Sequence, residues 1–145
     1  MAVSIGAIRR LVIGSQGYTG RFRRAGTGDV EATIRRLSAV QLDSISTVER
    51  AHRLTLTARI GAYPRDTVPA LLRTGRVFEY WAHEASLIPI ELHPLFRWRM
   101  ADVQREAWGS IARIPVENPR LVAETLRLVG ERGPIRARDT GAVRP

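Results

Sequence analysis

Val40-Gln41-Leu42-Asp43-Ser44-Ile45-Ser46-Thr47-Val48-Glu49-Arg50-Ala51-His52 sets an amide and a carboxylate two residues apart, just ahead of an arginine-bearing helix. In extended backbone, side chains two apart share a face. Gln41 and Asp43 therefore project together, while Val40 and Leu42 turn toward a core. An amide donates and accepts, and an ionised carboxylate only accepts, so this pair can hold and polarise a water between them. The same residues admit a second reading, in which Asp43 caps a helix starting near Ile45 and Gln41 is a half-buried strand residue.

Working outward, Ile45, Val48, Ala51, Leu54 and Ala58 recur at spacings of three and four. They predict a helix that closes at Gly61 and carries Glu49, Arg50 and Arg53 on its polar side. Upstream, Ser4 caps a first helix with apolar Ile5, Ile8, Leu11 and Val12 at helical spacing, ending at Gly14. Asp29 caps a second with Val30, Ile34 and Leu37 as its stripe and Arg35 and Arg36 facing out. Between them, Gln16 to Gly28 reads as a loop in which Arg21, Arg23 and Arg24 flank Phe22, placed to touch phosphate or simply solvated. Two short helices followed by a basic third is the helix-turn-helix outline, whose last helix lies against DNA.

Downstream, Pro64 leads a short helix through Leu72, broken at Thr74-Gly75. Val77 to Trp81 and His83 to Ile88 then alternate as a hairpin about Ala82, a wing. Pro89 ends it, and Ile90 to Arg105 reads as a helix with Leu92, Leu95, Phe96 and Met100 inward and Pro94 in its first turns. Ile111 to Pro119, with two prolines, reads as a linker. Leu121, Val122, Leu126 and Val129 mark an amphipathic helix ending at Gly130, and Gly133 to Asp139 resembles the opening of another helix-turn-helix, with a mobile tail. The fold class is mainly α with a small β-hairpin, a winged helix-turn-helix. It divides into a first winged helix over 1–90, a connecting helix and linker over 91–118, and an incomplete second unit over 119–145.

Composition narrows the partner. The 145 residues hold 23 basic Lys and Arg side chains against 14 acidic ones, a formal charge of +9, and every one of the 23 is arginine. Replacement of lysine by arginine can reflect a GC-rich genome, but the net excess points to a polyanion, most simply nucleic acid. Arginine's planar fork matches phosphates and guanine edges. There is no cysteine, hence no disulfide framework and no thiolate ligand or nucleophile. The longest uncharged run, Leu11 to Gly20, is too short for a membrane span, and Arg9 and Arg10 interrupt any secretory signal. A cytoplasmic protein without a membrane partner is expected.

Four motifs in order carry a resemblance: Val40-Gln41-Leu42-Asp43, Glu49-Arg50-Ala51-His52, Phe78-Glu79-Tyr80-Trp81-Ala82-His83-Glu84-Ala85-Ser86-Leu87-Ile88-Pro89, and Arg97-Trp98-Arg99-Met100. Together they resemble the winged-helix DNA glycosylases of the YcaQ (AlkX) and AlkZ type. The match is dense from Gln41 to Met100 and looser at Gln16-Gly17, where Tyr18 replaces a usual leucine. Members stack several winged helices, so the resemblance implies an N-terminal fragment whose activity alone is open. It places Gln41-Leu42-Asp43 on the family's Gln-hydrophobic-Asp signature and implies hydrolysis of the N-glycosidic bond of N7-alkylguanine or interstrand cross-linked purines in double-stranded DNA.

Under that resemblance Asp43 and Gln41 are the catalytic pair, His83 and Glu84 are candidates for facing the lesion, and Arg50, Arg53, Arg97 and Arg99 are candidates for binding DNA. Trp81, Tyr80 and Trp98 are either core or base-stacking residues. No metal or organic cofactor is implied, and the oligomeric state is unread. The competing class is a non-catalytic, regulatory winged-helix DNA binder. Both readings expect duplex affinity to fall steeply with salt, because each neutralised phosphate releases counterion; anisotropy titrations with a labelled duplex that showed salt-independent binding would contradict them.

Overall fold

The computed structural model describes residues 2–18, 20, 24–43, 47–102, 109–133 and 135. Among these the elements run α1 (Ile5–Ser15), α2 (Thr27–Leu37), β1 (Val40–Gln41), α3 (Ala51–Ile60), α4 (Thr67–Arg73), β2 (Val77–Trp81), β3 (Ala85–Pro89), a 3₁₀ turn (Ile90–Leu92), α5 (His93–Ala101), α6 (Gly109–Glu117) and α7 (Pro119–Arg132). The chain forms two compact units, 1–96 and 97–145.

The first unit is a winged helix. Helices α2, α3 and α4 with β1 between the first two, followed by the β2–β3 hairpin, give a three-stranded antiparallel sheet of order β1-β3-β2. The helical trio is therefore α2-α3-α4, with α1 outside it, and the third position belongs to α4 rather than to the arginine-bearing helix after Asp43. Strand β3 is central: Val40 pairs with Leu87 and Gln41 with Ser86 on one side, and Val77 through Trp81 pair with Pro89 through Ala85 on the other. The pleat sends Val40, Leu87 and Val77 to one face, where Val30, Ile34, Leu56, Val68 and Leu71 close the core. Leu42 packs against this core, as the two-residue alternation requires. On the opposite face, Phe78 and Tyr80 meet His93 and Phe96 edge-on, at ring separations of 5.3 Å for Phe78–His93 and 5.8 Å for Tyr80–Phe96.

Several boundaries differ from the sequence expectation, each for a local reason. Thr27 opens α2, and Asp29 works from its third position: its carboxylate accepts the Gly26 backbone N–H at 2.9 Å. α3 begins at Ala51, Ile45 lies outside the described residues, and Val48 is 87% and Leu54 50% exposed. The buried side of α3 is His52 and Leu56, a stripe four residues apart that a polar histidine hides from a hydrophobic count. Gly61 closes the helix with φ +83°, a left-handed conformation that glycine adopts without strain. α4 starts at Thr67, three residues after Pro64. The wing turn comprises three residues, Ala82 to Glu84, instead of Ala82 alone.

Leu95 is 65% exposed on α5, while Leu92, Phe96 and Met100 are half-buried. The end expected for this helix, Arg105, lies outside the described residues. Residues 111–117, read as a linker, belong to helix α6, which carries Pro115 inside it at the cost of one ladder donor. α7 runs past Gly130 to Arg132, buries Leu128 and leaves Leu126 68% exposed. Arg21, Phe22 and Arg23, and residues 136–145 of the tail, lie outside the described residues.

Helix α1 buries none of its side chains. Arginines hold it instead. Arg36 donates to the Gly14 and Ser15 carbonyls, and Arg59 donates to the Gln16 carbonyl at 2.8 Å while lying 4.3 Å from the Tyr18 ring centroid. Cations at a helix C-terminus satisfy its open carbonyls and complement its dipole. Leu87 sits at the centre of sheet and core, with none of its surface exposed. Leu87→Ala removes about 2–5 kcal/mol of unfolding free energy, read as a lower urea midpoint with the slope retained.

Candidate active site

The open end of the sheet, where β1 runs out and the wing turns, forms a cleft of about 550 Å³ lined by Gln41, Leu42, Asp43, Arg50, Glu79, Trp81, Glu84 and Ala85. Pairing of β1 with β3 builds it. The Leu42 N–H donates to the Ala85 carbonyl at 2.7 Å, carrying the register one residue past the strand, so Gln41 and Asp43 emerge beside the wing. Gln41 is exposed, not the half-buried strand residue of the second reading, and Asp43 is half-buried. Asp43 does not cap α3 either, because that helix begins eight residues later with Arg50 at its N-cap.

The wing side is equally fixed. The Glu84 carbonyl accepts both the Ala82 N–H at 3.2 Å and the Ser86 hydroxyl at 2.8 Å, which anchors the turn from which the Glu84 side chain reaches the cleft. His83, one residue earlier, is exposed and does not line the cleft. Glu79 and Trp81, two apart on β2, lie on the face of Val77 and Leu87, at its exposed edge, and both line the cleft. Glu79 was not singled out for the site, and Trp81 only as a core or base-stacking alternative. Their exposure follows from the topology: Glu79 stands opposite Leu87 and Trp81 opposite Ala85, on an edge strand of the sheet.

The arginines divide. Arg50 is exposed at the start of α3 and lines the cleft. Arg53 faces inward: its Nε reaches Glu49 at 3.1 Å, its Nη2 donates to the Tyr63 carbonyl at 3.4 Å, and its guanidinium lies 4.6 Å from the Tyr63 ring centroid. It is a fastener of the α3–α4 connection. Glu49 is the hub, also pairing with Arg65 at 2.9 Å and accepting the Arg50 N–H at 3.1 Å. That backbone hydrogen bond first, and then Arg65 and Arg53, hold its carboxyl below the usual range against the opposing effect of burial. Arg97 and Arg99 belong to the second unit; Trp98 there is 69% exposed. Among the described residues no group of three His, Asp or Glu side chains is placed to hold a metal ion, and no helix is long and apolar enough to cross a membrane.

His52 is 8% exposed beneath this cluster, with Nδ1 buried and unbonded. Burial first, then the charges of Arg50 and Arg53, push its imidazole below the ordinary 6.5, with Glu49 opposing. The folded protein thus binds this proton less readily than the unfolded chain does. His52 leaves stability intact above about pH 6.5 and erodes it as pH falls through the window beneath. Thermal melts from neutral to mildly acidic pH show a falling midpoint, and His52→Gln flattens that fall.

No solved structure matches the chain. The family described as DNA glycosylase AlkZ-like matches residues 34–144, from the middle of α2 through β1, the wing and the cleft to the last residue but one. With that match over most of its length, and with the cleft inside the matched span, the chain belongs to the AlkZ-like DNA glycosylase family.

Proposed function

We propose that this glycosylase hydrolyses, without strand cleavage, the N-glycosidic bond of N7-alkylguanine and of interstrand cross-linked purines in duplex DNA. The observation that supports it best is the meeting of Gln41 and Asp43 in one cleft with Arg50 at its rim. Alkylation at N7 makes the purine cationic, so the C1′–N9 bond breaks with its electron pair moving onto N9 and neutralising that charge. Little acid catalysis at the base is needed. The sugar left behind is oxocarbenium-like, the same charge problem that carboxylates solve in glycoside hydrolysis.

In this reading Asp43 offsets the developing sugar charge and orients the attacking water, accepting its proton as the oxygen bonds to C1′. Gln41, able to donate and accept at once, positions that water or the sugar. Arg50 holds a flanking phosphate. Asp43→Asn keeps shape and removes the charge. It lowers release of free base from N7-methylguanine duplex by at least about a thousandfold, the scale of a lost transition-state electrostatic contact, while duplex affinity by anisotropy stays within about twofold. Undiminished release in this variant contradicts the assignment; absence of release from the folded wild-type chain favours the non-catalytic winged-helix binder.

A further inference from the structure

Two guanidiniums at the other end of α3 from the cleft carry charge that the fold does not neutralise. Arg36 of α2 donates from Nε to the Ser15 carbonyl at 3.2 Å and from Nη2 to the Gly14 carbonyl, and its Nη1 meets no acceptor among the described residues. Arg59 of α3 donates to the Gln16 carbonyl, the Gln16 amide oxygen and the Thr55 carbonyl. Every one of these acceptors is neutral. Other arginines of this unit share carboxylates, Arg35 and Arg76 on Glu31 and Arg53 and Arg65 on Glu49, whereas among the described residues neither Arg36 nor Arg59 forms an ion pair. The C-terminus of α1 sets about half a negative charge against these two positive ones. The two side chains also meet at one place: a Cβ built on Gly17 lies 3.5 Å from Arg36 Nη1 and 3.8 Å from Arg59 Cδ, and both arginines line a cavity of about 260 Å³ with Gln16, Gly20 and Thr33. The carbonyls already hold both guanidiniums in place, which lowers the ordering cost of binding an anion between them.

We propose that the cavity between Arg36 and Arg59 seats a backbone phosphate of duplex DNA, a grip on the partner that is separate from the cleft. The planar fork of arginine suits a phosphate oxygen pair. Arg50, which lines the cleft, and Arg59 stand nine residues apart along α3, about 13 Å at helical rise. A phosphate held here fixes the placement of the duplex and carries no sequence information. The inference uses none of the residues assigned to bond cleavage.

Replacing either arginine also releases α1, so the test adds a charge instead. A side chain at Gly20 has room: among the described residues its Cβ meets only the Arg59 carbonyl, at 3.5 Å. The full chain is titrated against a labelled, undamaged duplex by anisotropy at several salt concentrations, as wild type, Gly20→Glu and Gly20→Gln. Gly20→Glu supplies the cavity with its own carboxylate. It weakens duplex binding about tenfold, the scale of one hydrogen bond to a charged group, and makes the slope of log affinity against log salt shallower by about one. Gly20→Gln, of the same size and uncharged, stays within about twofold of wild type. Equal affinity and slope in the two variants overturn the proposal. So does calorimetry in which Gly20→Glu abolishes binding of inorganic phosphate while duplex affinity and slope stay at wild-type values, since the cavity then takes a free anion. Duplex binding requires no base release, so this result and that of the Asp43→Asn assay are read independently.

Discussion

Two residues of β-strand decide both the fold and the site. Val40 and Gln41 pair with Leu87 and Ser86 across some forty-five residues of sequence, and the bond from Leu42 N–H to the Ala85 carbonyl extends the pairing to the point where the chain leaves the sheet. The alternation of side chains then allots Val40 and Leu42 to the core and Gln41 and Asp43 to the cleft. A slip of one residue reverses that allotment, burying an amide and a carboxylate and exposing two aliphatic chains. The apolar core and the polar cleft enforce the same register from opposite sides.

The charged cluster at the start of α3 plays the complementary part. Glu49 gathers Arg53, Arg65 and the Arg50 N–H, and Arg53 in turn grips the Tyr63 carbonyl and ring. An arginine serves here where a lysine does not, since the planar fork meets a carboxylate, a carbonyl and an aromatic face together. Other arginines fasten the fold from its surface: Arg36 and Arg59 on carbonyls at the end of α1, Arg35 and Arg76 on Glu31.

The legible part of the fold was the part governed by short-range rules. The alternation at Val40 to Asp43, the capped α1, the hairpin strands and the breaks at Gly61 and Thr74-Gly75 follow from periods and turn chemistry. Tertiary context decided the rest. His52 as a core residue, Arg53 as an internal fastener and α4 as the third helix each depend on a partner distant in sequence, and α6 absorbs a proline that local rules assign to a linker. Glu79 and Trp81 were quoted within a family motif, but their shared place in the cleft appears only once the register of β2 against β3 is known. Asp43 emerged from spacing alone as one of two readings, and the late start of α3 removes the helix it would have capped.

Helix α4 occupies the position that in helix-turn-helix proteins enters the major groove. Its seven residues include one basic side chain, Arg73, whose guanidinium is bound to Asp66 at 2.8 Å, and no asparagine or glutamine to address adenine. A helix with so little vocabulary holds a duplex no more firmly at one sequence than at the next. For a member of a DNA glycosylase family that indifference is useful: damage arises anywhere along a genome, and a searcher that pauses at preferred sequences spends its time where nothing is broken. Under the function proposed for the cleft, a plain α4 suits a site that must serve any sequence.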